Sequence, residues 1–324
     1  MLGGVSSAAT VLGSAVEPRA TIGIVAVATP AETRDVVERG VEWWESHGYR
    51  VKLGPSTQER GGDFAGPPEL RAADLQEMFA DPEVAAIQTM RGGYGTIDVL
   101  PLLDYDAIAK TPKFFVGLSD VTNLHLALGR YAGLATFYGP SLTMVGARPV
   151  PPLTGDRLLS VLQGDGTGPV PYDPDGPYVR AIARGRASGP VVGGCLPDLG
   201  HTIGTPWEIR TEGAILFFEV QGYGPTFIER FIIHLQQAGK LDGVAGVLVG
   251  ELPHSKWGEG IGPDWPRERT VDDVLDARLG ELGVPVLYGL PVGHGATMAT
   301  LPLGVQATLD ADALTLTIDE PALV

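Results

Sequence analysis

Only one cysteine, Cys195, occurs in the 324 residues. It cannot close an internal disulfide and leaves no cysteine cluster for zinc or an iron–sulfur centre. That excludes a disulfide scaffold and fits a reducing compartment, so a cytoplasmic location is expected. Basic residues are also few, with Lys and Arg totalling 23 against 39 Asp and Glu. The resulting net charge of −16 would repel a phosphate backbone, so nucleic acid is not an expected partner. No apolar run approaches the ~18 residues that a membrane span needs, which predicts a soluble chain with no membrane partner. The opening stretch "MLGGVSSAATVLGSAVEPRA" carries no Lys or Arg before Arg19 and so lacks the basic start of a signal peptide. Residues 1–20 read as a loosely ordered leader.

Hydrophobic residues make up 44% of the chain and charged residues 19%, the balance of a globular protein. A chain of this length is expected to form two domains. "TIGIVAVATP" is a continuous β-branched and apolar run ending in Thr-Pro, the pattern of a buried parallel strand followed by a loop. "AETRDVVERGVEWWESHG" then has helical spacing and closes at Gly48, and "YRVKLGP" returns as a strand. The alternation continues through "PPELRAADLQEMFADP", "VAAIQTM" and "KFFVGL". Such alternation implies a parallel sheet covered by helices, an α/β domain over residues 21–145. Residues 146–186 are dense in Pro, Gly and Asp and read as a connecting segment. Residues 187–324 read as a second α/β domain, with strands in "GPVVGGCL", "GAILFFEV", "VAGVLVGEL" and "VPVLYGL" and a terminal hairpin in "VQATLDADALTLTID".

Parallel sheets place ligands beyond the carboxyl ends of their strands. Ser119, in "FFVGLSDVTNLHLAL", falls at such a place. Two readings of it stay open: an N-cap for the following helix, or a nucleophile. Nucleophilic attack needs a base, an orienting acid and amide donors for the oxyanion, and the N–H of Asp120 could be one such donor. Among six histidines, His294 is set apart by its loop "PVGHGATM", where flanking glycines allow close approach to a ligand. His125 and His234 fall in amphipathic helices and read as packing or surface residues, and the spacing of Glu251 and His254 is too common to argue a metal site. Glu219 ends the otherwise uncharged strand "GAILFFE", where an acid is costly unless partnered. "RGGYGT" offers backbone amides beside Arg91, but it is neither a Walker loop nor a full dinucleotide fingerprint.

Taken together, "RAADLQEMFADPEVAAIQTMRGGYG", "VGLSDVTNLHLAL", "GGCLPDLGHTIGTPW", "ILFFE" and "PVGHGATMATLPLG" resemble the LD-carboxypeptidase family of serine peptidases, which includes the microcin C immunity proteins. The resemblance runs from about Thr21 to the C-terminus. It implies a Rossmann- or amidotransferase-like parallel-sheet nucleophile domain and a smaller C-terminal α/β domain, with the active site in the cleft between them. It implies Ser119 as nucleophile, His294 as base and Glu219 as the acid orienting that base. Gly93 and Asp120 would supply the oxyanion amides. Arg91, with Gly92 beside it, is a separate candidate for contacting an anionic substrate end, a surface or structural ion pair being the other reading.

No cofactor or metal is expected. The implied activity is release of a terminal D-amino acid from L,D-linked muropeptides in cell-wall recycling. An alternative is cleavage of the amide in peptidyl- or aminoacyl-nucleotides, and a second alternative is a non-catalytic small-molecule binding protein. The immunity proteins usually carry Lys-His-Glu after the strand corresponding to "VAGVLVG", where this chain has "ELPHSKW". That difference leaves substrate choice between peptide and peptidyl-nucleotide open. Family members are often dimers, so a homodimer is an expectation, although no stretch of the sequence identifies an interface.

Overall fold

The computed structural model describes residues 10–147, 149–175, 178–255 and 269–324. The first half supplies strands β1 (Thr21–Val25), β2 (Arg50–Leu53), β3 (Val84–Thr89), β4 (Phe114–Gly117) and β5 (Thr136–Tyr138). There follow β6 (Gly168–Pro169), β7 (Arg180–Ala183), β8 (Arg186–Cys195), β9 (Ile215–Glu219), β10 (Gly246–Gly250) and β11 (Val286–Leu290). The chain ends with β12 (Leu301–Leu303), β13 (Gln306–Asp310) and β14 (Thr315–Ile318).

These strands form a six-stranded sheet, ordered β12-β5-β4-β3-β1-β2, and an eight-stranded sheet, ordered β6-β14-β13-β8-β9-β10-β11-β7. In the first sheet β1 to β5 pair in parallel. All five residues of β1 are buried, as a strand covered on both faces requires. Helix Arg34–Ser46 turns Val37 and Trp44 inward, and the Trp44 indole N–H donates to Gln88 Oε1 of β3 at 2.7 Å. In the second sheet β8, β9, β10 and β11 run parallel, and β13 and β14 form the terminal hairpin.

One strand crosses between the halves. β12 lies in the C-terminal half of the chain but adds antiparallel to β5, with Leu301 opposite Tyr138. The stretch 146–186 also carries regular structure, including helix Pro152–Leu162. A single apolar cluster runs from Ile24, Val116 and Phe137 of the first sheet to Val191, Phe217 and Leu290 of the second. The rings of Tyr138 and Phe217 meet edge to face at 5.1 Å. The two sheets therefore share buried apolar surface instead of being joined only by linkers.

The expectation of a loose leader needs correction over residues 10–20. Val11 N–H donates to Gly133 O at 2.7 Å and Ala135 N–H donates to Val11 O at 2.9 Å, while Val16 is 2% exposed and donates to Leu162 O at 2.9 Å. Backbone pairing and a buried valine fix this segment; sequence reading missed it because its small residues lack any periodic pattern. Residues 1–9 lie outside the described residues. Among the described residues, no helix is long and apolar enough to cross a membrane.

Candidate active site

The site is assembled from strand ends. The 90–95 loop follows β3, Ser119 follows β4, and Tyr138 closes β5; Cys195 closes β8, Glu219 closes β9, Glu251 follows β10, and His294 lies just beyond β11. Adjacent parallel strands in each sheet thus deliver their carboxyl ends to one place, where loops and helix starts converge.

Ser119 has φ +63°, a left-handed conformation that costs a non-glycine residue about 1 kcal/mol or more. It opens a 3-10 turn that runs into helix Thr122–Ala127, and the capping position before that turn belongs to Leu118. No side chain caps the turn, so the N-cap reading of Ser119 is not what the structure contains. The Ser119 N–H donates to the Tyr138 hydroxyl at 3.0 Å. Gly92 packs against the serine so closely that a Cβ there would fall 2.8 Å from Ser119 Cβ. Only a glycine fits without moving the serine.

The surrounding loop is fixed by named bonds. Buried Arg71 donates through Nη1 to Val27 O at 2.8 Å and Gly95 O at 2.7 Å, and Thr29 Oγ1 accepts from Tyr94 N at 3.1 Å. Thr96 N–H donates to Asp120 Oδ2 at 2.8 Å and the Thr96 hydroxyl donates to the Asp120 backbone O at 2.6 Å, which fixes both the side chain and the main chain of Asp120. Among the described residues, the backbone N–H groups of Gly93 and Asp120 have no hydrogen-bond partner. Two backbone donors without partners are what an oxyanion would require.

Glu219 is fully buried. Its Oε2 accepts from His294 Nδ1 at 2.7 Å and from His294 N at 3.2 Å, and its Oε1 accepts from the Tyr138 hydroxyl at 2.5 Å. Because an ionised carboxylate only accepts, Nδ1 carries hydrogen and Nε2 is left as the basic nitrogen. The His294 side chain is 18% exposed, and Nε2 has no partner among the described residues. Burial alone would lower the imidazole pKa, but the hydrogen bond and charge of Glu219, with a contribution from Asp198, raise it above its ordinary value. Gly293, at φ +122°, makes the approach possible, since a Cβ there would meet Glu219 Oε2 at 2.5 Å.

The structure therefore joins Glu219 and His294 directly and joins Ser119 to Glu219 through Tyr138. Ser119 Oγ itself hydrogen-bonds to no described residue. Arg91 pairs with Glu32 at 3.1 Å. His125 is buried between Thr136 Oγ1 at 2.9 Å and Gly117 O at 3.0 Å, and burial pushes it down to about 4, so it is a neutral packing residue. Among the described residues, no group of three or more His, Cys, Asp or Glu gathers where it could hold a metal ion.

Sequence reasoning missed Tyr138. It also missed Asp198, which accepts from Asn123 Nδ2 at 3.3 Å and whose carboxyl burial and the neighbouring Asp120 push up to about 7. The only sequence signal for Tyr138 is a hydroxyl at the end of a buried strand.

A model of the LD-carboxypeptidase N-terminal domain matches residues 22–139, and a model of the LD-carboxypeptidase C-terminal domain matches residues 188–309. The chain belongs to the LD-carboxypeptidase family. Membership places it among the serine carboxypeptidases. The chain is 33% identical over 92% of its length to the Bacillus subtilis (strain 168) protein named "Probable murein peptide carboxypeptidase", covering 91% of that relative. It superposes with a TM-score of 0.88 on the microcin C7 self-immunity protein MccF in complex with glutamyl sulfamoyl guanosine, at 27% identity over 97% of this chain and 100% of that one. With muramoyltetrapeptide carboxypeptidase from Oxalobacter formigenes the TM-score is 0.77, at 27% identity over 91% of this chain and 97% of the other.

Proposed function

We propose that this serine carboxypeptidase releases the terminal D-amino acid from L,D-linked muropeptides through an acyl-enzyme. Ser119 Oγ passes its proton to His294 Nε2 and attacks the carbonyl carbon of the L-residue. Glu219 holds the Nδ1–H tautomer and stabilises the imidazolium. The oxyanion of the tetrahedral intermediate is met by the N–H groups of Gly93 and Asp120. His294 then gives its proton to the departing amine, and the D-amino acid leaves. Water, deprotonated by His294, attacks the acyl-serine and restores Ser119. Arg91 and Gly92 line the approach, and the Arg91 guanidinium offers an anionic substrate end an alternative to its exposed partner Glu32.

The observation carrying this reading is the 2.7 Å bond between buried Glu219 and partly buried His294, linked through Tyr138 to a serine held in left-handed backbone. We place the reaction in cytoplasmic cell-wall recycling, carried out by a homodimer; the lone free cysteine fits a reducing compartment. The test is mass spectrometry of products after incubation with an L,D-tetrapeptide. Loss of one D-residue is expected from the native chain and no loss from Ser119→Ala. Equal turnover by the variant would remove serine catalysis.

A second substrate reading is favoured by the TM-score of 0.88 to a protein bound to an aminoacyl sulfamoyl nucleoside. In that case the same serine would attack the amide of an aminoacyl-nucleotide. Turnover of an aminoacyl sulfamoyl adenosine with none of the tetrapeptide would select it.

A further inference from the structure

We propose that the pocket of about 310 Å³ beside the His294 loop is a substrate subsite for a group bearing an ammonium, with Glu251 as its anionic acceptor. This rests on the hydrolase reading above and adds part of the substrate to it. Gly295 and Ala296 line the pocket together with Glu251, so it opens on the loop that carries the imidazole. Glu251 follows β10 directly, and its N–H donates to Val292 O at 3.2 Å, which fixes the backbone from which the side chain enters.

The carboxyl approaches Gly295 through Oε2, which a Cβ there would meet at 1.3 Å. Glycine at 295 is what makes room for it. Glu251 Oε2 is buried without a hydrogen bond, and neither carboxyl oxygen has a partner among the described residues. Buried polar groups are normally satisfied, and an uncompensated buried acid is unfavourable until something supplies donors or positive charge. Burial, with no opposing cation among the described residues, pushes this carboxyl up to about 7.

The other acid in the lining is already committed. Asp272 Oδ1 accepts from Arg180 Nε at 3.0 Å and from Nη2 at 2.8 Å, and Arg180 also pairs with Asp276 at 2.6 Å. Arg180 is thereby neutralised twice and offers no attraction to an anion. Among the described residues of this lining, Glu251 is the acid left without a partner. Tyr178 adds aromatic surface, which tolerates a cation, while the Tyr288 ring already carries the Arg180 guanidinium 5.7 Å from its centroid. A carboxylate or phosphate would have to keep Glu251 protonated, and an apolar group would leave it unpaired. An ammonium supplies both the donors and the charge that are missing.

The test measures binding of two tetrapeptides to the full-length Ser119→Ala chain by calorimetry. In one, the residue before the terminal D-alanine is L-lysine; in the other, that lysine is Nε-acetylated. A charged hydrogen bond made in this pocket predicts tighter binding of the amine peptide by about tenfold or more. The Ser119→Ala/Glu251→Gln chain should bind the two with similar affinity, and Ser119→Ala/Glu251→Asp should keep part of the preference. Equal binding by Ser119→Ala, a preference for the acetylated peptide, or binding of neither would overturn the subsite. So would a preference that survives Glu251→Gln. Hydrolysis of both peptides by the native chain is scored separately: cleavage at equal rates removes the subsite and keeps the hydrolase, whereas amine-selective binding without cleavage removes the hydrolase and keeps the subsite.

Discussion

The Tyr138 hydroxyl donates to Glu219 Oε1 at 2.5 Å while accepting the Ser119 N–H at 3.0 Å. One phenol thus ties the backbone of the serine, from the first sheet, to the acid of the second. Tyr138→Phe removes both bonds and leaves the ring packed against Phe217. Turnover of an L,D-tetrapeptide is expected to fall by about 10- to 100-fold, mostly in kcat, because the reacting groups lose alignment while substrate contacts remain. Steady-state kinetics of the variant checks this, and a loss confined to KM would speak against it.

Gly293 tests the other side of the same acid. An alanine there would place Cβ 2.5 Å from Glu219 Oε2 in a backbone of φ +122° that disfavours any side chain. Gly293→Ala is expected to lower kcat by about 100-fold by displacing Glu219 from His294. Gly92→Ala, whose Cβ would meet Ser119 Cβ at 2.8 Å, should act similarly from the serine side.

The raised pKa of His294 fixes the sign of the pH dependence. His294 must be neutral to accept the serine proton, so activity is lost as pH falls through its pKa. The acid limb of kcat/KM is therefore expected above the ordinary imidazole value of about 6.5. In Glu219→Gln the raising charge is gone and burial, which lowers the pKa, dominates. The limb of the residual activity should move to lower pH. A limb that stays in place would detach Glu219 from the base.

The segment of residues 10–20 makes a stability prediction. Val16 is 2% exposed and sits in the shared apolar cluster. Val16→Ala is expected to destabilise by about 1–3 kcal/mol, seen as a lower thermal midpoint with kcat/KM unchanged.

How far the sequence was legible follows from the range of the signal that each residue carries. β1 and the helix Arg34–Ser46 announce themselves by local apolar pattern, because a doubly covered strand and an amphipathic helix differ in period. β12 does not: three residues, Leu301–Leu303, say nothing about which sheet they join, and pairing with Tyr138 is a property of the folded chain. Ser119 stood out by position, but whether it caps a helix depended on one backbone angle that serine rarely adopts. Glu219 and His294 were distinguishable as an acid ending an apolar strand and a histidine between glycines, while their mutual contact was implied only through family resemblance. Tyr138 was hidden because a tyrosine at a buried strand end is ordinary core, and its hydroxyl gains meaning only from two partners far away in sequence. The idle carboxyl of Glu251 became visible once Gly295 was seen to make room for it.

The central claim is that Ser119 and His294 act as one catalytic unit. The most direct measurement is the rate of D-amino acid release by Ser119→Ala, His294→Ala and the double variant, each compared with the native chain. If the two residues form one unit, each single variant loses nearly all the acceleration and the double variant loses no more than the worse single one. Losses that multiply in the double variant, or a His294→Ala chain that retains most of its rate, would contradict the account.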